Sequence, residues 1–202
     1  MTWTRFKHWW INTFWYHYGK GAVICLCALA LVIMMIRDMS NRIQPDFTYT
    51  VVADFHVNTE RLQELTNFFT DVTPDINGDT LTLINASVIT MTDHESLPHE
   101  RFLLSFLTKD NFLYIVDEPN IVGLIAAEAM EDLTPFEEHG YEVREGIVIR
   151  IDHISMIRSI FYLREGEPMY IGIKKPPLDA NEMDMLHFMA SLNALQELLD
   201  FR

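Results

Sequence analysis

The chain has 202 residues, room for one ordinary domain and an appendage but not for two full domains. Residues 1–20 carry only Arg5, Lys7 and Lys20, a balance of +3, whereas residues 37–202 carry the other 12 basic and all 29 acidic side chains, a balance of −17. So acidic a domain is excluded as a general nucleic-acid binder, because a phosphate backbone would be repelled over most of its surface. Its recurrent aromatic and aliphatic residues exclude intrinsic disorder.

The first segment, residues 1–20, holds Trp3, Phe6, Trp9, Trp10, Phe14, Trp15, Tyr16 and Tyr18, among them all four tryptophans of the chain. Two readings stand for this cytoplasmic aromatic and basic tail. One is an interfacial helix on the inner leaflet, with its basic residues near anionic lipid. The other is a docking surface for a membrane partner. Residues 21–36 (GAVICLCALALVIMMI) follow without a charge or a strongly polar group.

At ~1.5 Å per residue that run spans about 24 Å, and extending the helix back to Trp15 gives about 33 Å, enough for the ~30 Å hydrocarbon core. Trp15, Tyr16 and Tyr18 suit the interface, and Lys20 can snorkel towards headgroups. The run ends in Ile33-Met34-Met35-Ile36-Arg37-Asp38 with no small-x-small site, so it predicts an uncleaved signal-anchor, a single-pass transmembrane helix. Ile24 and Leu26 precede the two cysteines, where lipid attachment wants a small residue. The three basic side chains before the span outweigh Arg37 and Arg42 after it. That places the N-terminus in the cytoplasm and the rest outside the cell membrane. Both cysteines fall in the span, so the outer domain has no disulfide framework, which suits a bacterial surface protein.

Residues 37–46 form a short polar stalk, and residues 47–202 an extracytoplasmic domain. Residues 47–55 (FTYTVVADF) read as a strand. Leu62, Leu65, Phe68, Phe69 and Val72 recur at helical spacing behind a cap at Asn58 or Thr59, and Thr73-Pro74 stops them. After the turn Asp75–Asp79 (DINGD), residues 80–90 predict a second strand. Ser96-Leu97-Pro98 opens a helix carrying Phe102, Leu103, Phe106 and Leu107. Residues 112–116 (FLYIV) read as a buried strand, and residues 120–130 as a third helix. Further strands are expected at 146–154 and 168–173, around the segment 156–163. The last helix, 181–201, starts at an Asn181/Asp184 capping box and is expected to dock through Met185, Met189, Leu192, Leu195 and Leu199. Three successive strand–helix units predict a three-layer α/β domain with a mostly parallel sheet and right-handed crossovers.

The stretches FKHWW, FWYHYGKG, PDFTYTVVADF, DVTPDINGD, LTKDNFLYIVDE and MEDLTPFEEHG, in that order around one span, resemble a group of single-pass membrane proteins of Gram-positive bacteria without an assigned activity. Their outer part is similar to one lobe of the extracellular solute-binding proteins that serve ABC importers. In that family a Y-I-V/L-D strand precedes a helix and an L-x-P-L/F step, matched here by Tyr114–Asp117 and Leu133–Phe136. The family tends to D-x-N-G-D-G before the second strand, and here Thr80 stands in place of the final glycine. The resemblance implies a periplasmic-binding-protein-like lobe and, as one alternative, a tethered solute-binding module.

No cofactor and no metal site is expected. Asp75, Asn77 and Asp79 alternate as calcium ligands do, but an EF-type loop needs glycine and glutamate where Thr80 and Ala86 stand. Asp93, His94, Glu95, His99 and Glu100 match no zinc spacing. A GxSxG elbow, a P-loop and GxGxxG are all missing, so the chain is read as non-enzymatic. Open α/β sheets bind ligands beyond the carboxyl ends of their strands, which here bear Asp54, His56, Ser87, Thr90, Asp117, Glu118 and Asn120. These are the weak ligand-binding candidates. One lobe buries little of a small molecule. The leading expectation is therefore an interaction or accessory domain of an envelope complex. Its partners would be the bilayer and a membrane or surface protein, or a second copy of itself.

Overall fold

The computed structural model describes residues 3–10, 15–40, 45–55, 57–91, 96–109, 111–164 and 166–201. The chain divides into two compact units, Met1–Ile43 and Gln44–Arg202. The first unit contains α1 (Trp3–Trp9) and α2 (Trp15–Ser40). α2 runs unbroken for 26 residues, about 39 Å at ~1.5 Å per residue. Among the described residues no helix is long and apolar enough to cross a membrane. The side chains of Ala22 and Ile36, inside the uncharged run of α2, lie outside that description.

The second unit is α/β. Its strands are β1 (Phe47–Ala53), β2 (Ile84–Thr90), β3 (Asn111–Asp117), β4 (Val143–Arg144), β5 (Val148–Arg150) and β6 (Met169–Ile173). They form one sheet in the order β2-β1-β3-β6-β5-β4. β1 is parallel to both β2 and β3, while β6 is antiparallel to β3 and to β5, and β5 to β4. The sheet is therefore mixed, which corrects the expectation of a mostly parallel one. Two causes are local. Glu145 and Gly146 both take positive φ and close a tight β4–β5 turn, and a turn that short joins only antiparallel strands. β6 is buried along its whole length and enters between β3 and β5. Gly172 permits that close fit, since a Cβ there would stand 2.8 Å from Met130 Cε and 3.1 Å from the Ile147 carbonyl.

Alternation along the strands divides the core. Phe47, Tyr49, Val51 and Ala53 of β1, with Leu113, Ile115 and Ile171, face α3 (Thr59–Val72), α6 (Ser155–Phe161) and α7 (Glu182–Asp200). Val52, Tyr114, Val116, Val148 and Tyr170 face α4 (Ser96–Ser105) and α5 (Ile121–Ala126). Three layers result, as expected for strands buried on both faces. Asn58 caps α3 by accepting from Glu60 N at 2.9 Å, and the Asn181/Asp184 box caps α7. Residues 80–83 precede β2 as irregular chain, and the segment expected as one helix over 120–130 is a 3₁₀ turn, Glu118–Asn120, followed by the short α5.

α7 docks on the sheet, but through a rotated face. His187, Phe188, Ser191, Ala194, Leu195 and Leu198 are buried, whereas Met185 and Met189 are exposed and Leu192 is half-buried. Ala190, Ser191 and Ala194 are small enough to let the helix axis approach the strands. The methionines, which carry the more apolar signal in sequence, fall at the rim.

Candidate functional site

β1 lies between β2 and β3, so the chain winds outward through α3 on one face and back through α4 on the other. The direction of winding reverses between β1 and β3, and it is at such reversals that open α/β sheets offer a crevice. Three of the sequence-derived candidates meet there. Asp117, the last residue of β3, is only 6% exposed, and its Oδ2 accepts the Asp54 backbone N–H at 2.7 Å. Asn120 is held in the 3₁₀ turn after β3. Its Nδ2 donates to Asp117 Oδ1 at 2.6 Å and to Asp54 Oδ1 at 2.8 Å. One amide thus bridges two carboxylates. Burial pushes the Asp117 carboxyl above its usual range, the hydrogen bonds from Asp54 and Asn120 oppose this, and the nearby Asp54 charge adds to it.

The other candidates scatter. Thr90 closes β2 opposite Ala53, close to the same end, and is half-buried. Ser87 pairs with Thr50 in the middle of the strand, three residues short of the carboxyl end, which removes it from the crevice. Glu118 is drawn into an ion pair with Arg144 of β4 at 2.5 Å, and Arg144 also donates to Tyr170 Oη at 3.3 Å. The guanidinium is pushed further up by the Glu118 hydrogen bond, then by that to Tyr170. His56 lies outside the described residues. Arg144 had no signal in sequence, because nothing there pairs β4 with the turn after β3.

The DINGD loop is built by its own backbone. Asp75 accepts from Gly78 N at 2.7 Å and Thr80 N at 2.8 Å, Asn77 from Asp79 N at 2.9 Å, and Asp79 from Leu81 N at 2.9 Å. These oxygens fold an Asx-turn chain rather than converge on a cation. Beneath it the fully buried Asp46 accepts from Ile76 N at 2.8 Å, Asn77 N at 2.9 Å and Leu83 N at 2.8 Å. Asp46 was overlooked in sequence, where it reads as the end of a solvated stalk. Among the described residues no group of three or more His, Cys, Asp or Glu side chains could hold a metal ion. Of the expected 93–100 cluster, residues 93–95 lie outside the described residues, and His99 and Glu100 are exposed on α4.

Two hollows elsewhere in the domain measure about 410 Å3, beside Phe136, Tyr141 and Asp200, and about 250 Å3, beside Met130, Ile147 and Lys175. Neither is lined by a strand-end candidate. A broader feature is the outer side of α4 and of the turn that follows it. Phe102 and Phe106 turn inward onto Tyr114, while Leu97, Leu103, Leu104 and Leu107 are 56–76% exposed. Val122 and Ile125 of α5, in the same layer, are exposed as well. No family model, no curated protein and no solved structure matches this chain.

Proposed function

We propose that the chain is a membrane-anchored accessory protein of a bacterial envelope complex. In this reading α2 is a single uncleaved span, the N-terminus is cytoplasmic, and the α/β unit is an extracytoplasmic, non-enzymatic interaction domain. The observation that carries it is the exposed face of four leucines, three on α4 and Leu107 in the turn after it, joined in its layer by Val122 and Ile125. Exposed apolar area of this kind, on an otherwise acidic surface, marks contact with another protein. The strand-end carboxylates Asp54 and Asp117, by contrast, are tied up among themselves, Asp117 accepting from the Asp54 N–H and both from the Asn120 amide.

The experiment is photo-crosslinking in intact cells with a benzophenone amino acid at Leu104. The expected result is a discrete protein adduct, missing when the probe is placed at exposed Glu64 on the opposite layer. Identical patterns at both positions, or none at either, would contradict the reading.

A tethered solute-binding lobe is the second reading. It is favoured by Asp54, Asp117 and Asn120 meeting where the sheet reverses direction, and by parallel strands covered with helices on both faces, which agree with the resemblance to one lobe of a binding protein. A ligand of that kind would raise the domain's melting temperature by mass action, and Asp54→Ala would abolish the shift.

A further inference from the structure

We infer that the ring-bearing face of α1 is seated in the headgroup region of the cytoplasmic leaflet, with Arg5 and Lys7 against anionic lipid. This rests on the reading of α2 as a span and goes beyond it, because it gives the preceding helix a lipid contact of its own. At about 100° per residue, Trp3, Phe6 and Trp9 share one side of α1, and Trp10, the next residue, continues it. The rings form a continuous surface, with Phe6 6.0 Å from Trp3, 6.4 Å from Trp9 and 6.1 Å from Trp10, centroid to centroid. All four are exposed, Trp3 to 77%.

Water is a poor solvent for such a face, and a helix of seven residues does not hold in water by propensity alone. The bilayer interface offers such an exposed face an apolar surface, and indole is the ring that settles there, its apolar body inward and its N–H in the headgroup layer. By the same geometry Arg5 borders the ring face beside Trp9 and Lys7 borders it beside Trp3. Thr4 and His8 occupy the far side. Two cations flanking a sunken ring face reach the headgroup plane from both edges, as an interfacial helix requires. Residues 1–20 contain no acidic side chain to oppose them. The charge therefore complements an anionic leaflet.

The sequence allows a clean readout, since all four tryptophans of the chain lie in residues 1–20 and the α/β unit has none. In the full chain with Trp15→Phe, the remaining tryptophans all belong to the ring face. Reconstituted in nanodiscs of phosphatidylcholine and phosphatidylglycerol, they should emit to the blue of solvated indole. Lipids brominated near the glycerol should quench them more strongly than lipids brominated near the chain ends. Raising the phosphatidylglycerol fraction should strengthen the quenching, and Arg5→Gln with Lys7→Gln should remove that gain.

Solvent-like emission without quenching would overturn the lipid contact and leave a protein partner as what the face fits. Stronger quenching from the chain ends would overturn the interfacial depth. A double variant that responds to phosphatidylglycerol as the parent does would overturn the role of Arg5 and Lys7. Maleimide reactivity of Cys25 and Cys27 in the same discs reports α2 separately. Protected cysteines beside unquenched tryptophans would defeat this inference alone, and reactive cysteines would defeat the span as well.

Discussion

Asp46 and His187, at opposite ends of the α/β unit's sequence, are joined by a buried hydrogen bond: His187 Nδ1 lies 2.8 Å from the Asp46 carbonyl oxygen. A carbonyl only accepts, so the imidazole proton is on Nδ1. The Asp46 carboxylate meanwhile holds three backbone N–H groups of the loop before β2. One residue where the chain enters the domain therefore ties the second strand's approach to the last helix.

Removing that carboxylate should leave three partly buried donors without their acceptor. Asp46→Ala is expected to lose about 2–4 kcal/mol of unfolding free energy, and Asp46→Asn, which keeps one acceptor oxygen, about half as much. Urea denaturation of residues 45–202 checks both. Equal losses for the two variants would mean that the loop is held by something other than these bonds.

The same fragment provides a test of domain autonomy. About 160 residues can bury roughly 70% of their unfolded surface, and the core lies wholly within the unit. A single cooperative urea transition is expected, with circular dichroism and Tyr fluorescence coinciding. Probe-dependent midpoints would mean that residues 1–43 or a partner completes the core.

Thr80 takes φ +71, a left-handed backbone that a β-branched residue adopts at a cost of about 1–2 kcal/mol relative to glycine. The loop's hydrogen bonds, including Thr80 N to Asp75 Oδ2 at 2.8 Å, hold it there. Thr80→Gly should therefore stabilise the domain by roughly 1 kcal/mol after the extra chain entropy of glycine is counted. Destabilisation would show that the threonine side chain contributes more than its backbone strain removes.

How much of this was legible in sequence depended on the range of the interaction. Asn58 and the Asn181/Asp184 box act within three residues, and both caps are where the sequence put them. The Asp54–Asp117–Asn120 meeting was reachable because strand ends follow from alternating patterns. The antiparallel entry of β6 was not, since a run of β-branched and aromatic residues reads alike in either direction. Nor was the rotation of α7, where backbone approach selected Ala190, Ser191 and Ala194 over the more hydrophobic Met185 and Met189. Asp46 was illegible for the same reason: its partners lie 30 and more residues away.

That rotation has a measurable consequence. Leu195→Ala, at a fully buried site, should lose about 2–5 kcal/mol, whereas Met189→Ala, half exposed, should lose under about 1 kcal/mol. Half-buried Leu192→Ala should fall between them. The reverse ranking would contradict the docked face.

Asp117 makes stability depend on pH with a definite sign. Its folded pKa is raised, chiefly by burial, so the folded state holds the proton more tightly than the unfolded chain. Unfolding then releases a proton, and the residue's contribution, complete below the unfolded value of about 4, declines as pH rises through the folded value. Wild type should accordingly lose stability relative to Asp117→Asn as pH is raised from about 4 into that window. A gap between the two that stays constant with pH would place the ionisation elsewhere.

The sidedness of the α/β unit is the point on which the functional reading turns. In the full chain with Cys25→Ala and Cys27→Ala, a single cysteine introduced at exposed Glu138 should react with a membrane-impermeant maleimide in intact cells, to the same extent as after lysis. Labelling that appears only after lysis would put the domain in the cytoplasm and contradict the proposal.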